Sequence, residues 1–261
     1  MNLSLEGKTA LVCGSSQGIG LAIAEELALM GAECILLARD AQRLEGALHR
    51  LDTSLQQVHR SYAIDFNDAA ATEALIAQIV RERPVHILVN NSGGPAAGPV
   101  VDATADQFLQ AFQQHLLTNH RLTTGVIGSM KGAGYGRIIN IISTSVKVPL
   151  KNLGVSNTIR GAVASWAKTM ANELGQFGIT VNNVLPGATR TQRLEAIVSN
   201  TAQKKGVDAG EVEQEMIAEI PARRFGEAAE IAAVAAFLCT PAAAYVNGTS
   251  IPVDGGRTGS I

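Results

Sequence analysis

Short apolar strand patterns alternate with amphipathic helix patterns along this chain from end to end. That alternation constrains the fold more than any single residue does. Lys8 to Cys13 (KTALVC) reads as a first strand, and Gly18 to Met30 as a helix with Ile19, Ile23, Leu27 and Met30 at helical spacing. Cys34 to Ala38, Val58 to Ile64, His86 to Asn90, Arg137 to Ile142, Ile179 to Leu185 and Ser250 to Val253 supply six further strand patterns. Asp40 is placed to cap a helix running to Leu51, and Asp68 to cap one that turns Leu75, Ile76, Ile79 and Val80 inward. Thr104-Ala105-Asp106-Gln107 matches a capping box that opens a long helix toward Met130. Val155 to Leu174 and Glu227 to Leu238 complete the helices. The repeat predicts βαβ units, hence an α/β fold: a doubly wound parallel sheet with helices on both faces. Arg190 to Pro221 interrupts the rhythm. Its length and polarity predict a helical insert or lid near a pocket, within one domain of 261 residues.

Composition supports a buried sheet. Hydrophobic residues make up 46% but aromatics only 4%, so the core is built from Ala, Val, Ile and Leu. A net charge of −2 and a pI of about 6.2, with no basic patch or basic amphipathic stretch, argue against nucleic-acid and membrane-surface partners. No N-terminal basic-then-apolar segment reads as a signal peptide, and the longest apolar run, Ile231 to Cys239, is too short to cross a bilayer. Cys13, Cys34 and Cys239 are odd in number and lack CxxC or metal spacing, which predicts buried thiols in a cytoplasmic protein and no metal site.

The first strand runs into Gly14-Ser15-Ser16-Gln17-Gly18-Ile19-Gly20 and then a helix. Glycines at those positions permit a tight turn and close backbone approach. The helix N-terminus behind them offers free N–H groups and the positive end of its dipole to a pyrophosphate. The second strand ends at Ala38-Arg39 rather than at an acid. A carboxylate there would grip a ribose 2′-hydroxyl, whereas a guanidinium pairs with a 2′-phosphate. NADP(H) is therefore favoured over NAD(H), with Asp40 as the residue that would take the ribose in the other case. Nothing in Ser15-Ser16-Gln17 adds a second positive charge.

With these motifs the chain resembles the short-chain dehydrogenase/reductase family, a Rossmann-type fold, over essentially its whole length. The resemblance rests on Gly14-xxx-Gly18-Ile19-Gly20, Asp65 after the third strand, and Asn90-Asn91-Ser92-Gly93. It rests also on Gly136 to Ser143, Asn182-Asn183-Val184-Leu185-Pro186-Gly187 and Val253-Asp254-Gly255-Gly256. It is similar above all to β-ketoacyl carrier-protein reductases. The resemblance implies that Asp65 and Phe66 sit at the adenine, and that Asn91, Ser92 and Gly93 line the adenosine ribose side. It implies that Pro186, Gly187, Ala188, Thr189 and Thr191 border the nicotinamide, and that Ser143 is the catalytic serine. It also implies a homodimer or homotetramer and a small-molecule or acyl-thioester substrate.

At the family's Tyr-xxx-Lys this chain reads Ser156-Asn157-Thr158-Ile159-Arg160, and at its active-site asparagine it reads His115, or Asn119 after a slip of one helical turn. Ketone reduction needs a hydride and a proton. Ser156 is far less acidic than a tyrosine and ends closer to the backbone. Losing a positioned general acid costs about 10²–10⁴ in rate, roughly 3–5 kcal/mol. Arg160 keeps a positive charge and five donors, suited to the cofactor ribose or to a structural ion pair. Lys147 is read either as a functional cation or as a solvated loop lysine, His115 as a proton relay or as helix packing, Ser156 as a substrate or water ligand or as filler. The first reading is an NADP(H)-dependent oxidoreductase with an altered proton path, acting on C=O or on C=C or C=N. Two others use the same residues: an NADP-binding regulatory or scaffold protein without redox turnover, and a non-redox lyase or isomerase.

Overall fold

The computed structural model describes residues 1–260. Seven strands form one parallel sheet: β1 (Thr9–Cys13), β2 (Glu33–Ala38), β3 (Arg60–Ala63), β4 (Ile87–Asn90), β5 (Gly136–Ile141), β6 (Ile179–Pro186) and β7 (Ser250–Val253). Their spatial order is β3-β2-β1-β4-β5-β6-β7. The order reverses between β1 and β4, the switch point where sheets of this kind form a ligand crevice at the carboxyl ends of the strands. The strands match the sequence patterns to within a residue or two, except that β3 begins only at Arg60, the first residue to pair with β2.

Both faces of the sheet are covered, and the two-residue period of each strand sorts its side chains between them. Ala10, Val12, Cys34, Leu36, Ile87, Val89, Ile139 and Ile141 enter one apolar layer, shared with α1 (Gly18–Leu29) and α9 (Ala228–Cys239). Leu11, Cys13, Ile35, Leu37, Leu88 and Ile138 enter the other, shared with α3 (Ala69–Glu82), α5 (Thr118–Ala133) and α6 (Gly154–Leu174). The first layer is rich in alanine, so α1 and α9 pack closely through Ala24, Ala28, Ala232 and Ala235. All three cysteines are buried and free. Among the described residues no group of three or more His, Cys, Asp or Glu is placed to hold a metal, and no described helix is long and apolar enough to cross a membrane.

Two local departures from the sequence reading matter, and the interrupting segment is helical as expected. The helix α2 (Ala41–Leu48) starts on the Asp40 cap as expected, with Asp40 Oδ1 accepting from Arg43 N at 3.0 Å, but stops short of Leu51. The long helix expected from Thr104 keeps its capping box and runs without interruption to Ala133, but as α4 (Ala105–Phe112) and α5 joined by a π turn over Gln113–Leu117. The interrupting segment folds as α7 (Gln192–Lys205) and α8 (Ala209–Ala218), with a small apolar centre made by Leu194, Val198, Val212, Ile220 and Phe225.

A row of amides crosses the sheet just below its carboxyl edge. Asn90 Nδ2 donates to Asn140 Oδ1 at 2.9 Å, Asn140 Nδ2 to Asn183 Oδ1 at 3.0 Å, and Asn183 Nδ2 to Ser250 Oγ at 3.0 Å. The strand register places these residues directly beside one another. The row stitches β4 to β7 under the residues of the site.

Candidate active site

The turn after β1 is as tight as a backbone allows. Gly14 and Gly18 both have φ of +59°. A Cβ on Gly14 would lie 2.6 Å from Asn91 O, and one on Gly20 would lie 2.2 Å from Gly14 O, so only glycine fits. Asn91 Nδ2 donates to Cys13 O at 3.2 Å and Gly14 O at 3.1 Å, fastening the loop after β4 to the turn. Ser15 is buried and structural: it donates to Val12 O at 2.8 Å and accepts from Leu37 N at 3.1 Å. Ser16 is half-buried on the shoulder of the turn, and Ile19 packs against the first apolar layer. No side chain caps α1, so its first-turn N–H groups are left for an outside acceptor such as a phosphate.

Gln17 leaves the helix end uncapped because its side chain accepts from Arg43 Nη1 at 2.6 Å. Arg43 also lies 3.4 Å from Asp40, which is therefore committed to a cap and an ion pair. Arg39 is exposed and has no side-chain partner among the described residues. Two guanidiniums thus stand at the end of β2. Arg43 was missed in the sequence; the signal was its place three residues after the cap Asp40, in the first turn of α2. Asp65 is exposed and closes a local turn by accepting from Asn67 N at 3.0 Å, and Phe66 packs partly into the second apolar layer. Gly93 is open on its Cβ side.

At the other end of the crevice, Pro186 ends β6 and Gly187 donates its N–H to Val253 O at 3.0 Å. A Cβ on Gly187 would stand 2.7 Å from Asp254 Cα. Thr189 is buried and donates to Gly187 O at 3.1 Å. Thr191 caps α7, accepting from Leu194 N at 3.4 Å, and its methyl faces Gly18. These residues bring the loop after β6 over the glycine turn. Tight glycines, an uncapped helix start and two guanidiniums at the end of β2, Arg39 without a side-chain partner among the described residues and Arg43 shared with Gln17 and Asp40, fit a phosphorylated dinucleotide.

Ser143 follows β5, and its Oγ accepts from Ser145 N at 3.1 Å, which fixes the hydroxyl and leaves its proton to donate. Ser156 and Arg160 lie four residues apart on α6, hence on one face, and both are 7% exposed. Arg160 Nη1 donates to Ile141 O at 3.1 Å, two residues before Ser143. Its Nε is buried without a partner, and no carboxylate pairs with it among the described residues. The structural ion pair considered for it is thus absent. Burial, and then the like charge of Arg193, pull the Arg160 pKa down to about 10. His115 lies at the centre of the π turn, 1% exposed, with Nδ1 2.9 Å from Ser92 Oγ and Nε2 unpartnered. Burial, Arg160 and Arg193 push its pKa down to about 3. Asn119 is buried one turn further on, and its side chain makes no hydrogen bond.

Lys147 is exposed and without a side-chain partner among the described residues. Each tyrosine is occupied elsewhere or in solvent: Tyr135 Oη donates to Cys239 O, Tyr62 Oη lies 3.5 Å from Glu82 Oε2, and Tyr245 is fully exposed. The sequence reading also passed over Ser145, buried with its Oγ unpartnered, and Arg193, whose Nη1 donates to Gly94 O at 3.3 Å. Ser145 was legible as the third hydroxyl of Ser143-Thr144-Ser145. Arg193 was not, because its role depends on how α7 meets the loop after β4.

Residues 14–258 match the family described as enoyl-(acyl carrier protein) reductase. The 3-oxoacyl-(acyl-carrier-protein) reductase of Vibrio cholerae is 34% identical over 257 residues, covering 97% of this chain and 98% of that one. Among solved structures, L-sorbose reductase from Gluconobacter frateurii, complexed with NADPH and L-sorbose, has a TM-score of 0.93 at 30% identity over the full length of both chains. YwfH, an NADPH-dependent reductase involved in bacilysin biosynthesis, has a TM-score of 0.92 at 29% identity, covering 97% of this chain and 99% of that one.

Proposed function

This chain belongs to the short-chain dehydrogenase/reductase family, and on that premise we propose that it is an NADP(H)-dependent reductase of an electron-poor carbon whose proton does not come from a tyrosine. NADP(H) is favoured by Arg39 and Arg43 at the end of β2, with Asp40 held in a cap and an ion pair. Similar solved proteins carry NADPH or NADP in their descriptions. The Gly14–Gly20 turn and the free start of α1 would hold the pyrophosphate. Asp65, Phe66, Asn91, Ser92 and Gly93 would line the adenosine side, and Pro186, Gly187, Thr189 and Thr191 the nicotinamide side. When bound, the nicotinamide supplies the hydride.

The observation that carries the reading is a buried, unpaired Arg160 beside Ser143 and Ser156. As the substrate carbon accepts hydride, negative charge builds on the carbonyl oxygen. The Ser143 hydroxyl, already oriented by Ser145 N, donates to that oxygen. The Arg160 guanidinium stabilises it in a site shielded from water, where a fixed charge acts strongly. Ser156 adds a short hydroxyl that can hold a water. His115, neutral near pH 7, is a hydrogen-bonding and not an acidic group there. This equipment suits a carbonyl conjugated to C=C better than a simple ketone: hydride adds to the β-carbon, the enolate oxygen is held by Ser143 and Arg160, and water protonates the α-carbon. The α7–α8 segment would close over such a substrate.

Single-turnover oxidation of NADPH with enones, acetoacetyl thioesters, simple ketones and imines tests the reading. Oxidation with enones, abolished in Ser143→Ala and Arg160→Gln, is expected. Tight NADPH binding with no acceptor reduced would turn the assignment to a non-redox binding protein. Product without net cofactor oxidation would turn it to a lyase or isomerase.

A further inference from the structure

Three basic side chains from three elements meet at the ends of β4 and β5 without an acid among them. Arg160, from α6, is held to the end of β5 and has a buried, unpartnered Nε. His115, from the π turn that packs against α6, is held to Ser92 and has a buried, unpartnered Nε2. Arg193, from the first turn of α7, lays its guanidinium on Gly94: Nη1 donates to Gly94 O at 3.3 Å, and Nη2 lies 2.5 Å from where a Cβ on Gly94 would stand. Ser92 and Gly94 belong to one short loop, so His115 and Arg193 flank the same stretch of chain. Neither arginine enters an ion pair among the described residues.

Charged side chains are buried when something pairs with them. Here the charges nearest to one another are alike, and Arg160 Nε and His115 Nε2 are buried with no hydrogen-bond partner among the described residues. In the tautomer in which the Ser92 hydroxyl donates to Nδ1, the imidazole carries its proton on Nε2, a third donor. We propose that Arg160 and Arg193, with His115 Nε2, form a receptor for an oxyanion on the substrate, a carboxylate or a phosphate ester. The proposal rests on the reading of this cleft as the substrate site. The phosphates of a dinucleotide would have their own partners in the glycine turn and at Arg39 and Arg43. Because Arg193 rides on α7 while Gly94 belongs to the sheet's loop, an anion bridging the two arginines also ties the α7–α8 segment down over the site.

Calorimetric titration of pyruvate and of inorganic phosphate into the protein saturated with NADP+ tests this, with acetone as the uncharged control. Binding of at least one anion and not of acetone is expected. It should be weakened about tenfold or more in Arg193→Gln and in Arg160→Gln, each loss of about 1.4 kcal/mol being one factor of ten. Arg193→Lys should recover part of it. Arg193 is exposed, so its variants are expected to fold, which unfolding curves confirm. Three results overturn the proposal: no binding of either anion, equal binding in Arg193→Gln, or binding that NADP+ displaces, which would give the arginines to the cofactor phosphates. The readout is equilibrium binding, so a protein that never transfers hydride still answers it. Turnover of neutral substrates without anion binding would sink this proposal and leave the reductase reading standing.

Discussion

Ser92 and His115 are joined side chain to side chain, Oγ to Nδ1, at 2.9 Å, across the loop after β4 and the π turn between α4 and α5. The bond holds a neutral imidazole where burial, and then the like charges of Arg160 and Arg193, oppose its protonation. The unfolded chain binds a proton at His115 near pH 6.5, whereas the folded chain waits until about pH 3. Between those values the unfolded state carries more protons, so stability falls as pH drops through this window and is fully present above pH 6.5. The contribution is on the order of 3 kcal/mol. Urea unfolding at several pH values should show a slope between pH 3 and 6.5 that is reduced in His115→Gln. Equal slopes in the two proteins would remove His115 as its source.

Cofactor choice is written at the end of β2. Arg39→Ala should raise the dissociation constant for NADPH by about 10- to 100-fold, as expected for loss of a charge-assisted phosphate contact, and leave NADH nearly unchanged. Arg43→Ala should do the same more weakly, because Arg43 also holds Gln17 and Asp40. Fluorescence titration with both nucleotides checks this. Parallel losses for NADPH and NADH would mean that the arginines do not read the 2′-phosphate.

The sheet and most helices were legible because their signals are local. Asp40, Asp68 and Thr104 cap where their side chains must, and apolar pairs such as Leu11 and Val12 alternate between two layers because a strand has period two. The π turn was not legible: Gln113-Gln114-His115-Leu116-Leu117 has ordinary helical composition, and the extra residue per turn falls where this segment meets α6 in the fold. In the site, the glycine turn announced itself through spacing. The pairing of Gln17 with Arg43, the reach of Arg193 to Gly94 and the solitude of Arg160 did not. Each depends on which elements the fold brings together, and an absent carboxylate leaves no mark in a linear sequence.

The amide row makes a separate prediction about stability. Asn140→Leu would leave Asn90 Nδ2 and Asn183 Oδ1 buried without each other's bridge. Each unsatisfied buried group costs about 1–3 kcal/mol, so a loss of roughly 2–5 kcal/mol is expected. Asn90 Oδ1 is already unpartnered, so losing Asn140 leaves that buried amide satisfied at neither end. Chemical denaturation measures the effect, and a change below about 1 kcal/mol would mean that water or side-chain rotation replaces the row.

Ser156→Tyr with Arg160→Lys asks what this site has given up. The two positions lie one helical turn apart on the same buried face of α6, directed at the end of β5 where Ser143 stands. A tyrosine there would bring an acidic hydroxyl toward the oxygen that Ser143 contacts, and a lysine would lower its pKa. Since a positioned general acid is worth about 10²–10⁴ in rate, the double variant should reduce simple ketones at least 10²-fold faster than the native protein. The two changes should act together: Ser156→Tyr alone meets a guanidinium held by Ile141 O, and Arg160→Lys alone has no phenol to tune. Activity on enones should move the other way, because a lysine cannot reproduce the planar fork that Arg160 offers an enolate oxygen. Single-turnover NADPH oxidation with one ketone and one enone measures both arms. A double variant that folds, binds NADPH and gains nothing on ketones would show that the obstacle lies in substrate placement and not in the missing acid. Attention would then pass to Arg193 and the helix that carries it.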